Sequence, residues 1–222
     1  MTLHRFNKTI LKASGYRHNM LIDGNDDRGI DVGILSRFEI RTVRSHIDDS
    51  FTASNGQTFA IFSRDCPEYE VILPSGKSLW MLCNHFKSKG YGSKAENDAK
   101  RARQANRARE ILGRFDLTQD FVAVAGDLND TPNSQPLATL LQTSDLFDVL
   151  GSPQLQGPRW TYQDGKDQID YLLVSKALNQ KMQAVGIDRR GIFRSDVAHF
   201  PQVTDKITQA SDHAAVWAEF NI

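Results

Sequence analysis

The stretch Gly126-Asp127-Leu128-Asn129-Asp130 follows the apolar run Phe121-Val122-Ala123-Val124-Ala125 and sets Asp127, Asn129 and Asp130 within four positions. Asp, Asn and Gly are the usual turn formers, so a strand that simply turns explains the stretch. A strand that carries a carboxylate and an amide to the rim of a sheet explains it equally. The same arrangement recurs along the chain. His85 follows Trp80 to Asn84, Asp170 lies in Gln168-Ile169-Asp170-Tyr171, and Asp212-His213 stands just before the apolar Ala214 to Phe220. If those strands lie side by side, two imidazoles, three carboxylates and one amide converge. That set suits metal-assisted hydrolysis, in which a hard cation takes carboxylate oxygens, a base activates water and an imidazole polarises or protonates the leaving oxygen.

The elements that must position these groups can be traced by period and punctuation. Leu3, Phe6, Ile10 and Leu11 recur at helical spacing and stop near Gly15. Residues 31–35 and 38–43 form two short strand candidates with a turn between them. Residues 68–73 and 78–86 flank Pro74-Ser75-Gly76-Lys77, which predicts a β-hairpin. The clearest helix runs over 94–114, where Ala95, Ala99, Ala102, Ala105, Ala108, Ile111 and Leu112 make a narrow apolar stripe that permits close packing on a sheet. Strands at 121–125, 168–174 and 214–220 and a short helix at 134–141 complete the pattern. Strands outnumber helices, which predicts an α+β fold with stacked sheets.

Composition narrows the function classes. The 222 residues carry a formal net charge of zero, which argues against a protein that coats nucleic acid through its overall field. Local charge is another matter, since Lys87, Lys89, Lys94, Lys100, Arg101, Arg103, Arg107 and Arg109 face only Glu96 and Asp98. The helical arginines among them read as a solvated outer face. Lys87, two residues beyond His85 and on the same side of an extended strand, is a candidate phosphate contact, and Arg28 in the turn Asp27-Arg28-Gly29 is a weaker one. Trp160 and Tyr162 have the faces to stack on bases, but core packing is the commoner use of large aromatics. Cys66 and Cys83 are too few for a disulfide framework and form no C-x-x-C pair, so they read as buried or idle thiols. No run is long and apolar enough to span a membrane, and no linker or repeat divides the chain, which reads as one domain over 1–222.

Taken together, Gly126-Asp127-Leu128-Asn129, Ile169-Asp170-Tyr171 and Ser211-Asp212-His213, in that order, resemble three signatures of the endonuclease/exonuclease/phosphatase superfamily. The segment Asp27 to Arg37 resembles the stretch that precedes them, and Asn84-His85-Phe86-Lys87-Ser88-Lys89-Gly90 is most similar to the bacterial DNase-type members. Each motif alone is weak, whereas five in family order are specific. The resemblance implies a four-layer α/β/β/α sandwich of two mostly antiparallel sheets and a divalent-metal phosphodiesterase, with DNA as the leading substrate. It further implies Asp212 as a ligand of Mg²⁺ or Mn²⁺ and His213 at the scissile phosphate. Asp170 would orient His213, Asp127 would lead as general base, Asn129 would orient nucleophile or phosphate, and His85 would steady the phosphate or the leaving group.

The chain departs from the family in one respect. Members open on a strand ending in Asn and a second strand ending in a metal-binding Glu within a Gln-Glu pair, and the present sequence shows neither. Glu39, Glu68, Glu70, Glu96 and Glu110 stand in other contexts. The expectation is therefore a domain shortened at its N-terminus, with an open sheet edge prone to pair with another chain. No signal-peptide pattern is present, and with that segment in question both a secreted and a cytoplasmic location stay open. Rival readings are a phosphoesterase for phospholipid or inositol phosphate, and a module that binds phosphate or nucleic acid without turnover.

Overall fold

The computed structural model describes residues 2–222. Its frame is a six-stranded mixed sheet in which β3 (Ile40–Arg44), β6 (Glu68–Ile72), β7 (Ser78–His85), β8 (Phe121–Asp127), β10 (Asp170–Ser175) and β9 (Leu146–Asp148) lie in that spatial order. Only β7 and β8 run parallel; every other neighbouring pair is antiparallel. The parallel pair needs a crossover, and helix α2 (Lys94–Leu112) supplies it. Two further hairpins, β1 (His18–Ile22) with β2 (Val32–Ser36) and β11 (Met182–Asp188) with β12 (Ala215–Phe220), form the second β layer, and β4 (Ser50–Thr52) pairs with β5 (Thr58–Ala60) at the periphery.

Pleating decides which layer each side chain meets, because alternate residues of a strand face opposite sides. Leu82, Val122, Val124 and Leu173 point to one face, where they pack with Ala105, Ala108, Ile111 and Leu112 of α2. Leu79, Met81, Phe121, Ala123, Leu172 and Val174 point to the other, against Val185, Val216 and Ala218 of the β11–β12 hairpin. Hairpin β1–β2 packs on the same side, with β2 against β7, and α1 (Leu3–Thr9) lies outside it, Leu3 seated over Gly33. The layers thus run α, β, β, α, the expected sandwich.

Three local expectations need correction. The strands β2 and β3, read as neighbours across a turn, belong to different layers: β2 pairs with β1 and β3 with β6. The stripe expected on α2 holds only in its second half. Ala95 and Ala99 are exposed, and the first half buries Asn97, Arg101 and Gln104 instead. Arg101, assigned by its charge to the solvated face, is 1% exposed. The helix begins on a reciprocal cap, Ser93 accepting from the Glu96 N–H and Glu96 accepting from the Ser93 N–H, which satisfies two otherwise orphaned donors.

Candidate active site

Three neighbouring strands end at one row. In the parallel pair His85 lies opposite Asp127, and in the antiparallel pair Asp127 lies opposite Asp170. Parity places all three side chains on the hairpin side of the sheet, since His85 shares the phase of Met81, Asp127 that of Ala123 and Asp170 that of Leu172. Gly126 makes the row feasible. Its φ is +137°, and a Cβ there would stand 1.8 Å from the Asn84 carbonyl oxygen, so only glycine lets β7 and β8 close up immediately before Asp127.

Beyond the strand, Asn129 adopts a left-handed φ of +56°, which Asn tolerates better than most residues. That turn folds Asn129 back on Asp127. Its backbone N–H donates to Asp127 Oδ1 and its amide Nδ2 to Asp127 Oδ2, both at 2.8 Å, while the same Nδ2 lies 3.1 Å from the Phe86 carbonyl. The turn and the site are therefore one structure.

The fourth strand end is brought in by a clip. Buried Thr161 accepts the Ile169 and Asp170 N–H groups on its Oγ1, each at 3.0 Å, and its own carbonyl accepts the Ala214 N–H at 2.7 Å. Tyr162 bridges to His213 and stands edge-on to its ring at 5.2 Å, and the Gln163 N–H donates to the Asp212 carbonyl. His213 is thereby delivered to Asp170, with Nδ1 3.0 Å from both carboxylate oxygens. His85 Nε2 lies 3.6 Å from Asp127 Oδ2. Potential ligand atoms of Asp127, Asp170 and His213 all lie within 4.8 Å of one another. Asp212, the residue expected to hold metal, stands outside that trio; its charge acts on His213 from the side.

Electrostatics separates the two imidazoles. Burial, reinforced by the positive charges of Arg64 and His213, lowers the His85 pKa to about 4 and leaves that ring neutral near pH 7. The hydrogen bond that His213 donates to Asp170 raises the His213 pKa and favours the imidazolium. Burial first, and then the neighbouring Asp170 charge, lifts Asp127 to about 6. Groups of one type with opposed shifts mark an acid and base assignment.

Cations stand behind this row. Arg64, 3% exposed, ion-pairs through Nε with Asp26 Oδ2 at 2.9 Å and donates to the Phe86 carbonyl at 3.3 Å. Arg28 grips the same Asp26 with two bonds of 3.0 Å and is largely exposed. The Lys87 ammonium is curled onto the Ser88 and Gly90 carbonyls, and its pKa is lowered by burial and by Lys100, Arg64, Arg101 and Arg28. Lys87 and Arg28 thus belong to one basic group beside His85. Trp160 is buried, with Arg189 4.2 Å over its ring, in keeping with a packing role. Cys66 is buried, Cys83 half-buried, and both are free thiols.

Residues 2–213 match the Endonuclease/Exonuclease/phosphatase family. The chain belongs to that family. Its members are typically metal-dependent phosphoester hydrolases. Among curated proteins none matches it in sequence. Solved structures share its fold at low identity. An endonuclease/exonuclease/phosphatase from Bacteroides vulgatus superposes with a TM-score of 0.63 at 13% identity, covering 98% of this chain and 81% of that one. A 3′ phosphatase from Neisseria, bound to a product DNA hairpin, gives 0.60 at 17% identity, covering 100% and 86%. Sphingomyelinase C from Streptomyces griseocarneus gives 0.52 at 17%, covering 80% and 72%. Within this family member, the residues missed by sequence reasoning are Arg64, Asp26 and Thr161. The Arg64–Asp26 pair spans 38 residues of chain and Thr161 joins segments up to Ala214, and nothing in their local sequence marks them.

Proposed function

We propose that the chain is a divalent-metal-dependent phosphodiesterase that hydrolyses DNA. The observation carrying this reading is the single row of His85, Asp127 and Asp170 across three strands, closed by His213 on Asp170. Asp127, fixed by two donors of Asn129, is placed to take a proton from a water molecule beside the phosphorus. His213, kept cationic by Asp170, neutralises a non-bridging oxygen as negative charge grows on it. His85 is neutral and serves as a hydrogen-bonding group at the phosphate or the leaving oxygen.

The donor set fits a hard cation. Carboxylates of Asp127 and Asp170 stand close enough together to offer oxygen ligands of the kind Mg²⁺ and Mn²⁺ prefer, with water completing the shell, and Asp212 enters the set only through the family resemblance. Bound there, the ion would act as a Lewis acid on the phosphoryl oxygen. Choice of DNA rests on the basic group of Arg28, Arg64, Lys87 and Lys100, opposed locally by Asp26, which suits a polyanion whose neighbouring phosphates also need partners. A phosphocholine headgroup offers that group only a single phosphate, and that phosphate is the one being cut.

Supercoiled plasmid incubated with Mg²⁺ or Mn²⁺ is expected to be nicked, and EDTA, Asp127→Asn or His213→Ala is expected to stop nicking. Release of phosphocholine from sphingomyelin vesicles with plasmid left intact would move the assignment to phospholipid. DNA binding with no hydrolysis of either substrate would make the chain a binding module.

A further inference from the structure

Arg101 is the largest fully buried side chain among the described residues, yet it sits on α2, on the far side of the sheet from the hydrolytic row. Its guanidinium makes three different attachments. Nε donates to Asp130 Oδ2 at 3.0 Å, Nη1 donates to the Lys87 carbonyl at 3.0 Å, and Nη2 donates to Asp98 Oδ1. Asp130 follows Asn129 directly, and Lys87 follows His85 by two residues. One planar fork therefore grips both segments that leave the sheet carrying site residues.

We propose that Arg101 is a positioning residue for hydrolysis, setting the 126–130 turn against the exit of β7 so that Asp127, Asn129 and His85 keep one mutual geometry. The proposal rests on the phosphodiesterase reading for its kinetic consequence and on geometry alone for its structural one.

The surroundings fit a device for holding position. Asp130 is 6% exposed and pinned from both sides: its carboxylate by Arg101 and Lys89, and its carbonyl by the hydroxyl of Tyr171 on β10 at 2.8 Å. Neighbouring α2 side chains fasten the other segment, Gln104 Oε1 accepting the Lys87 N–H at 2.8 Å and Asn97 Nδ2 donating to the Lys89 carbonyl at 3.0 Å. This explains why the first half of α2 buries polar groups where its second half buries alanines: it packs on backbone that needs hydrogen bonds. Lysine can substitute only in part, because a single ammonium lacks the rigid fork that reaches a carboxylate and a carbonyl in one plane. Loss of a site's placement by about 1 Å can cost about 10²-fold in rate, so the expected effect falls on turnover.

The experiment separates positioning from plain stability. Arg101→Met, Arg101→Lys and the double variant Arg101→Met with Asp130→Asn are compared with wild type on plasmid and on bis(p-nitrophenyl) phosphate with Mn²⁺. Expected is a fall in kcat of about 10²-fold for Arg101→Met with KM nearly unchanged, and a smaller fall for Arg101→Lys. In the double variant the buried carboxylate that Lys89 alone would have to neutralise is gone, so the thermal midpoint recovers while kcat stays low. Recovery of kcat together with the midpoint would overturn the proposal. Hydrogen exchange supplies a readout that needs no activity: the amides of 128–131 are expected to exchange about tenfold faster in Arg101→Met, with those of 121–125 unchanged. Unchanged exchange at 128–131 would equally overturn it. A wild type that hydrolyses neither substrate refutes the phosphodiesterase reading and leaves the exchange result to judge Arg101.

Discussion

Asp127 is held at a thermodynamic disadvantage that its removal should reveal. Its carboxyl is lifted from 3.8 to about 6, first by burial and then by the Asp170 charge. At about 1.4 kcal/mol per pKa unit, the ionised group costs the folded state about 3 kcal/mol. Asp127→Asn removes that cost. It also spoils one of the two Asn129 bonds, because an amide accepts on one atom only, at about 1 kcal/mol. The net gain is about 2 kcal/mol at pH 8, or about 4–8 °C in thermal midpoint for a domain of this size. Sign and window follow from the raised value. Between about pH 4 and 6 folded Asp127 still holds a proton that the unfolded chain has released, so wild-type stability falls as pH rises through that range and the full penalty stands above it. The difference should therefore swing by about 3 kcal/mol, from a variant about 1 kcal/mol less stable than wild type near pH 4 to one about 2 kcal/mol more stable by pH 8. Circular dichroism melts in metal-free buffer from pH 4 to 8 test this. An Asp127→Asn protein no more stable than wild type at pH 8, or a difference that does not shrink towards pH 4, would refute the reasoning.

Asp170→Asn replaces the carboxylate that raises His213 with a neutral amide acceptor, so the His213 ring is expected to titrate lower in metal-free protein, as followed by its NMR shifts. Because a raised histidine stabilises the fold below its ordinary 6.5 and loses that contribution as pH rises through the folded value, the variant should lose more stability at pH 6 than at pH 9. Gly126→Ala forces a Cβ into the Asn84 carbonyl at a φ that L-residues avoid, and urea unfolding should show a loss of about 3 kcal/mol or more. Asn129→Gly keeps the left-handed turn but removes the amide bond to Asp127. It is expected to leave the unfolding free energy from urea titration within about 1 kcal/mol of wild type while lowering turnover.

Legibility tracked the range over which each interaction acts. Strands β6, β7, β8, β10 and β12 and helix α2 declare themselves through short-range period and punctuation; His85 and Asp127 could be found because each ends an apolar strand, and Asp170 because its motif stands with theirs in family order. Elements without a periodic run stayed hidden. Strand β1 has the half-polar sequence His18-Asn19-Met20-Leu21-Ile22, and β4, β5 and β9 are three residues each, too short for alternation to register despite the Asn55-Gly56 turn signal. Strand β11 carries Gly186 where a strand former is expected, and the reason lies on its partner: the Trp217 indole covers that position, so a Cβ would stand 2.5 Å from it.

The same distinction accounts for the charged residues. By composition Arg101 belongs with Arg103 and Arg107 on an outward face, because a helix carries no local mark for which arginine turns inward. The mark is Asp130, 29 residues away, and for Arg64 it is Asp26, 38 residues back in the chain. Each such pair is worth burying only when the fold is complete, since a lone guanidinium in the interior is strongly disfavoured and a paired, fully bonded one is not. Groups proposed to perform the chemistry therefore lie at strand ends, where one-dimensional pattern meets the sheet rim. Groups that hold them in register had to be found in three dimensions.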